Sequence, residues 1–377
     1  MRQTFWLYSH NFTQSGAPLV LASIARELAE AGWRERLRVL SWGGVHDRRH
    51  STLQNELQAE GIHCEILDLD QPAPRPHKED RLLLNSLALP ETVIRNALLW
   101  VQQGRLQRLD WYCHEANPEA LLQGQGLKSD VLNALHSLKL KMRVPSLATL
   151  QVYQKWLNYY GPALLVQVPK VVVPSQMLGT TDSDFSALRL QLVGAIGAGE
   201  KGHLWLLELI DHVLSSGSSD PRLRSIYLTF IGVESGAYAA LAVSLCKRAE
   251  DLLGDRFDCI GQSNRFETLQ SMAKSNLAVS CSMRETFSLA AAEAMALGQP
   301  LLRTRTGGFV EQLVDMGTGF DLGCPGFPVS QEAVDLLQRL RDPALVTEDQ
   351  LRKMGGNASR HAQGFMDAQY SDWLLDE

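Results

Sequence analysis

The stretch Ser280-Cys-Ser-Met-Arg-Glu285-Thr-Phe-Ser-Leu-Ala-Ala-Ala-Glu293-Ala-Met-Ala-Leu-Gly298-Gln-Pro300 decides how this chain reads. Its run of alanine, leucine and methionine predicts a helix over Phe287–Leu297, closed by Gly298 with Pro300 just beyond. The apolar Leu277–Ser280 ahead of it predicts a strand. Strand, loop and helix in this order build doubly wound sheets, whose ligands sit at the carboxyl ends of the strands. Glu285 then falls in the loop and Glu293 inside the helix. Eight helical positions span about 12 Å, so the two carboxylates cannot share one proton. They suit opposite ends of an elongated ligand, with the amides of Phe287, Ser288 and Leu289 between them as a phosphate seat. A plainer account uses the same residues: a carboxylate before a helix favours its dipole, and Glu293 can pair with Arg284 or Arg303.

The same alternation extends in both directions. Thr4–Tyr8 reads as a strand entering a polar loop, Ser9–Gly16. Leu21, Ile24, Ala25 and Leu28 form a helical stripe with Pro18 near its start and Gly32 at its end. Leu37–Leu40, His63–Leu69 and Asp110–Cys113 read as further strands, and Val171–Pro174 ends the first half. Strands are expected again at Leu190–Gly194, Ile226–Ile231, Phe257–Ile260 and Leu301–Thr304, with helices at Tyr238–Leu253 and Phe266–Ala273. The Gly, Thr, Asp and Ser cluster in Met177–Ser186 marks the join. The expectation is an α/β protein of two Rossmann-like doubly wound domains facing across a cleft: residues 1–180, residues 187–358, and a segment 359–377 returning to the first domain.

Composition narrows the function classes. The chain has 377 residues, 45% hydrophobic and 21% charged, as a soluble two-domain protein should. A net charge of −6 leaves no global basic field for nucleic acid. Six scattered cysteines contain no CxxC pair, which favours a reducing compartment over a zinc knuckle or disulfide scaffold. Met1–His10 does not read as a signal peptide, and no run approaches the ~20 apolar residues of a membrane span. The expected location is therefore cytoplasmic.

The central stretch resembles the E-x7-E signature of retaining glycosyltransferases of family 4, the group 1 glycosyltransferases with the GT-B fold. Other segments resemble that family in order. Ser9–Leu21 (SHNFTQSGAPLVL) is similar to the donor-phosphate loop and first helix, and Trp111–Pro118 (WYCHEANP) to the segment with the active-site histidine. Val171–Gln176 (VVVPSQ) resembles the end of the first domain, and Val193–His203 (VGAIGAGEKGH) the phosphate segment of the second. Phe230–Gly232 and Cys259–Gln262 resemble the strand ends beside the base, and Thr306–Gly319 follows the signature as in the family.

The resemblance implies roles residue by residue. Glu293 would accept from the ribose hydroxyls and Glu285 would face the transferred sugar. Amides around Phe287, Ser288 and Leu289 would hold sugar hydroxyls and phosphate. Lys201 would neutralise the diphosphate, Gly16 would let backbone approach it, His114 would sit by the anomeric carbon or the sugar 6-position, and Gln262 would meet the base. No metal and no resident cofactor is implied, and the sugar keeps its anomeric configuration. The sequence departs from the family at Ala195, where an arginine is common, at Ser288, where glycine is common, and at Arg305, which is a candidate replacement cation.

For the acceptor, Leu127–Tyr160 interleaves Lys128, Lys139, Lys141, Arg143 and Lys155 with apolar residues. This reads as a helix hairpin with a solvated charged face, or as a surface for an anionic membrane or lipid-linked acceptor. The leading function is metal-independent transfer of a sugar from a nucleotide-diphosphate sugar to a glycan, lipid-linked or small-molecule acceptor, as in polysaccharide biosynthesis. The alternatives are a non-catalytic sugar-nucleotide-binding subunit of a glycan-biosynthesis complex and a GT-B sugar-nucleotide epimerase. No nucleic-acid partner is expected.

Overall fold

Short runs of leucine, isoleucine, valine and aromatics, buried on both faces, are what parallel strands covered by helices require. The computed structural model describes residues 3–13, 15–43, 52–123, 126–181, 184–216, 220–232, 238–261 and 263–375. Among them, a first sheet contains β1 Phe5–Ser9, β2 Leu37–Trp42, β3 His63–Leu67, β4 Arg81–Asn85, β5 Leu109–Tyr112, β6 Leu140–Val144 and β7 Leu164–Val166. A second contains β8 Leu188–Val193, β9 Ile226–Ile231, β10 Phe257–Ile260, β11 Leu277–Ser280, β12 Leu301–Arg303 and β13 Gly319–Asp321. Every pairing between these strands is parallel.

The orders are β3-β2-β1-β4-β5-β6-β7 and β10-β9-β8-β11-β12-β13. Each sheet runs outward from its first strand one way, then reverses and runs the other way. The reversal falls between β1 and β4 in one sheet and between β8 and β11 in the other. Loops leaving the carboxyl ends of those strands diverge to opposite faces, which opens a crevice in each unit. The crevices begin at Ser9 and Asn85, paired in register, and at the loops after Val193 and Ser280.

The chain divides into Met1–Lys170 with Ala368–Glu377, and Val171–Asp367. The division thus comes at 170/171, ahead of the Met177–Ser186 cluster. Val171, Val173 and Met177 already lie in an apolar cluster with Ala296, Leu297 and Phe309 of the second unit. The return begins at 368 rather than 359, because the helix Glu348–Met366 buries Leu351, Met354, Ala358 and Ala362 in the second unit. Phe365 also stays there, edge-on to Phe287 with ring centroids 5.3 Å apart.

The stretch Leu127–Tyr160 is not a helix hairpin. It is a helix Lys128–His136, the strand β6 and a helix Leu147–Leu157. Leu140, Met142 and Val144 alternate into the core, and Arg143 is buried, so the basic residues do not share one face. β4, β6 and β7 also escape the sequence reading, since Leu82–Leu84 is continuous with more leucine and β6 is half charged.

The returning segment is anchored by backbone groups. The amides of Tyr370 and Ser371 both donate to Glu27 Oε1 at 2.7 Å, and the Lys170 amide donates to Tyr370 Oη at 2.6 Å. Arg108 Nη2 donates to the Trp373 carbonyl at 2.9 Å, and Arg143 stacks on the Trp373 ring at 4.0 Å. Tyr370 is fully buried. Tyr370→Ala is expected to cost about 3–5 kcal/mol of stability, as other large buried aromatics do; urea unfolding followed by far-UV circular dichroism checks it.

Candidate functional site

The loop from Cys281 to Ser288 leaves the carboxyl end of β11 and carries the polar groups of the second unit's crevice. It has no regular structure, so its shape comes from neighbours. The Met283 amide donates to the Glu200 carbonyl at 2.8 Å, and Thr304 Oγ1 and Thr306 Oγ1 donate to the Ser282 carbonyl at 2.9 and 3.2 Å. Two glycines permit backbone contact. A Cβ on Gly202 would stand 2.1 Å from the Cys281 carbonyl oxygen, and one on Gly307 would stand 1.9 Å from that of Glu285. Both glycines have positive φ, +75° and +42°, which side chains rarely adopt.

Held this way, Glu285 is nearly buried and meets Lys201, whose Nζ is 3.2 Å from Oε2. Ser282 Oγ donates to the same oxygen at 3.4 Å, and the Thr286 amide to Oε1 at 3.2 Å. Lys201 closes the turn Gly199–Lys201, just ahead of the helix His203–Ser215, and its stem packs along Gly194. The structure therefore joins Lys201 and Glu285 at the switch point of β8 and β11. Ala195 stands in the loop between β8 and that turn and brings no charge.

The helix begins later than expected, at Leu289, and runs to Ala296. Ser288 is its N-cap: Oγ accepts from the Ala291 amide at 3.2 Å. Its own amide donates to Gln312 Oε1 at 2.9 Å, and Gln312 Nε2 donates back to the Ser288 carbonyl at 2.9 Å. The Ser288 amide is thus already used. The amides of Phe287, Leu289 and Ala290 have no acceptor among the described residues and form the open start of the helix. Phe287 packs on Phe365.

Glu293 is 1% exposed and forms an ion pair with Arg265, the first residue of the helix Arg265–Ala273. Neither Arg284 nor Arg303 is its partner. Arg303 pairs with Asp321 at 3.2 Å, and Arg305, half exposed, pairs with the same carboxylate at 2.9 Å. Burial pushes the Arg265 pKa down to about 10, so its guanidinium stays charged at neutral pH. A buried carboxylate needs such a partner, because an unpaired one costs several kcal/mol. Asn264 and Glu267 form a capping box that fixes Arg265 at the first helical position, a helix start the sequence carries, though it does not give the pairing with Glu293. Gln262 lies outside the described residues.

In the first unit His10, Asn85, His114 and Glu115 lie at or just past the carboxyl ends of β1, β4 and β5. His114 Nε2 is 2.8 Å from Asn85 Oδ1, and Asn85 Nδ2 donates to the Ala17 carbonyl at 2.9 Å. The amide orientation makes His114 Nε2 the donor. Asn85 thus ties His114 to the first turn of the helix Gly16–Leu28. A Cβ on Gly16 would meet nothing within 4 Å, so the chain itself does not require glycine there. Burial, with His10 nearby, drives the His114 pKa down to about 3. Ser86, at φ 121°, bonds the Glu115 carboxyl, whose pKa burial raises.

Set beside known proteins, residues 193–358 match the family model described as glycosyl transferases group 1. The match lies within the second unit, and the chain has the GT-B fold. Anabaena HepE in complex with UDP-glucose is similar over 97% of this chain and 96% of that one, with TM-score 0.73 and 18% identity. Sucrose-phosphate synthase from Thermosynechococcus elongatus is similar over 99% and 97%, with TM-score 0.70 and 17% identity. A UDP-forming trehalose-phosphate synthase from Burkholderia xenovorans in complex with glucose-6-phosphate is similar over 98% and 99%, with TM-score 0.69 and 11% identity. No protein among the curated sequences matches the chain. Among the described residues, no helix is long and apolar enough to cross a membrane.

The imidazoles give a pH expectation. His114 and the buried His203 titrate near 3 and 4 when folded but near 6.5 when unfolded. Between those values the unfolded chain binds more protons, so their contribution is complete above about pH 6.5 and is lost as pH falls toward 3–4. His114→Gln should flatten the fall of stability between pH 6 and 4; urea midpoints across that range check it.

Proposed function

We propose that this protein is a retaining glycosyltransferase that uses a nucleotide-diphosphate sugar. The observation that carries the reading is the meeting of Lys201 and Glu285 at the β8/β11 switch point, before the open amides of Phe287, Leu289 and Ala290. A cation and free amides suit a diphosphate whose negative charge grows as the glycosidic bond breaks. Glu285 would accept from hydroxyls of the departing sugar, and Glu293 from the ribose, sharing its charge with Arg265. His114, held neutral by burial and donating through Nε2 to Asn85, would serve the sugar rather than carry charge. The acceptor would attack the face from which the phosphate leaves, so no covalent glycosyl-enzyme forms. The acceptor would be a glycan, a lipid-linked sugar or a small molecule, met in the cytoplasm or at a membrane surface.

Two observations favour a second reading, a non-catalytic nucleotide-sugar binder: Glu293 is paired with Arg265, and the Ser288 amide is taken by Gln312. Slow hydrolysis of UDP-glucose or another nucleotide sugar by the pure protein decides for the enzyme. Binding of a panel of nucleotide sugars without any turnover decides for the binder. Conversion of the free donor to an epimer would identify the third class.

The two glutamates should separate. Glu285→Ala is expected to leave nucleoside diphosphate affinity within a few-fold while turnover falls about a hundredfold, the cost of misplacing a reacting carbon by ~1 Å. Glu293→Gln should weaken nucleoside diphosphate and donor alike by about 1.5–3 kcal/mol. Calorimetry and turnover on both folded variants are the check.

Activity is also expected to survive exhaustive chelation, since Lys201 and the amides would supply the counter-charge. Full loss in EDTA, restored by magnesium or manganese, would overturn that phosphate assignment.

A further inference from the structure

The six cysteines fall into distinct environments. Cys64, Cys113 and Cys281 are buried, Cys324 is exposed, and Cys246 and Cys259 are both partly exposed. Burial pushes the Cys64 thiol up to about 12 and raises those of Cys113 and Cys281 strongly, so these are poor nucleophiles. Cys246 lies on the helix Ala239–Leu253 and Cys259 in β10, with the turn Gly254–Arg256 between them. Their sulfurs are 3.1 Å apart, the one thiol–thiol contact among the described residues. A disulfide needs about 2.05 Å, so the sulfurs must close by roughly 1 Å, within reach of side-chain rotation.

We propose that Cys246 and Cys259 are a site of reversible oxidation to an intramolecular disulfide, with a hydroperoxide as the oxidant. One thiolate attacks the peroxide, forming an S–O bond as the O–O bond breaks; with hydrogen peroxide, hydroxide leaves as water. The second thiolate attacks the resulting sulfenic sulfur, forming S–S as S–O breaks and a second water departs. Two thiols lose two electrons and two protons in all, and the peroxide takes them up. A small dithiol reverses the step by exchange.

The bond has a defined mechanical target. Among the described residues β10 is the outer strand of its sheet, paired with β9 alone, and none of its residues is fully buried. A covalent link to the preceding helix closes a short loop and restricts the unfolded chain. It also fixes the strand that leads, through Gly261 and Asn264, to Arg265 and its ion pair with Glu293. This inference does not depend on the sugar-transfer reading.

The test treats the intact, fully reduced protein with a small excess of hydrogen peroxide, alkylates remaining thiols and maps peptides by mass. The expected product is one cross-link joining the Cys246 and Cys259 peptides, with a mass loss of about 2 Da that dithiothreitol restores. Its formation should be at least tenfold faster in buffer than in 8 M urea, roughly the condition that unfolds most domains. Oxidised protein should melt several degrees higher, and neither C246S nor C259S should show that rise. Independent alkylation of both thiols after peroxide, products at Cys324 alone, or equal rates in buffer and urea would overturn the proposal. The wild-type cross-link and its rate decide the matter even where a serine variant folds poorly.

Discussion

The backbone between Cys281 and Glu285 is pressed against two neighbouring turns, and that contact shapes the second unit's crevice. The carbonyls of Cys281 and Glu285 lie where a side chain on Gly202 or Gly307 would stand. The loop cannot relax outward without breaking its bonds to Glu200, Thr304 and Thr306. Glu285 is carried to Lys201 by this close packing, not by helix or strand geometry. A site built on a clamped loop is well suited to hold a ligand with little reorganisation.

The second constraint is a buried charge. Glu293 sits in an alanine-rich helix packed against the helix Glu348–Met366, where Gly355 is pressed against the Gly298 carbonyl. A carboxylate at 1% exposure is tolerable there because Arg265 reaches it from a neighbouring capped helix. The helix start is satisfied in part from within: Ser288 caps Ala291, and Gln312 uses the Ser288 backbone on both sides. What is left open is narrower than a bare helix terminus, and is limited to the amides of Phe287, Leu289 and Ala290.

The first unit solves a related problem with neutral groups. His114, Asn85 and the start of the helix Gly16–Leu28 form a hydrogen-bonded chain across three strand ends, and burial keeps the imidazole uncharged. The same unit is completed by the last residues of the chain, whose amides are received by Glu27. The two crevices thus differ in electrostatic character although their sheets share one order over six strands, the first sheet adding β7 at its edge.

Much of this was readable in the residues. Apolar runs of four to six residues separated by helical stripes dictate parallel α/β layers, because only helices on both faces can cover such strands. The spacing of Glu285 and Glu293 across a helix start, and Lys201 before another, marked the polar end of the second sheet. Local signals failed where burial overrides them. β6 carries Lys141 and Arg143 yet is a central strand, and the helix expected at Phe287 waits until Leu289 because Ser288 is the better cap. The sequence by itself determined the layer type and much of the strand succession, since these follow from periodicity and turn residues close in the chain. Only the tertiary structure decided that Glu293 meets Arg265, that Gln312 takes the Ser288 amide and that Cys246 touches Cys259. Those pairings depend on which elements pack side by side, and no local pattern encodes that choice.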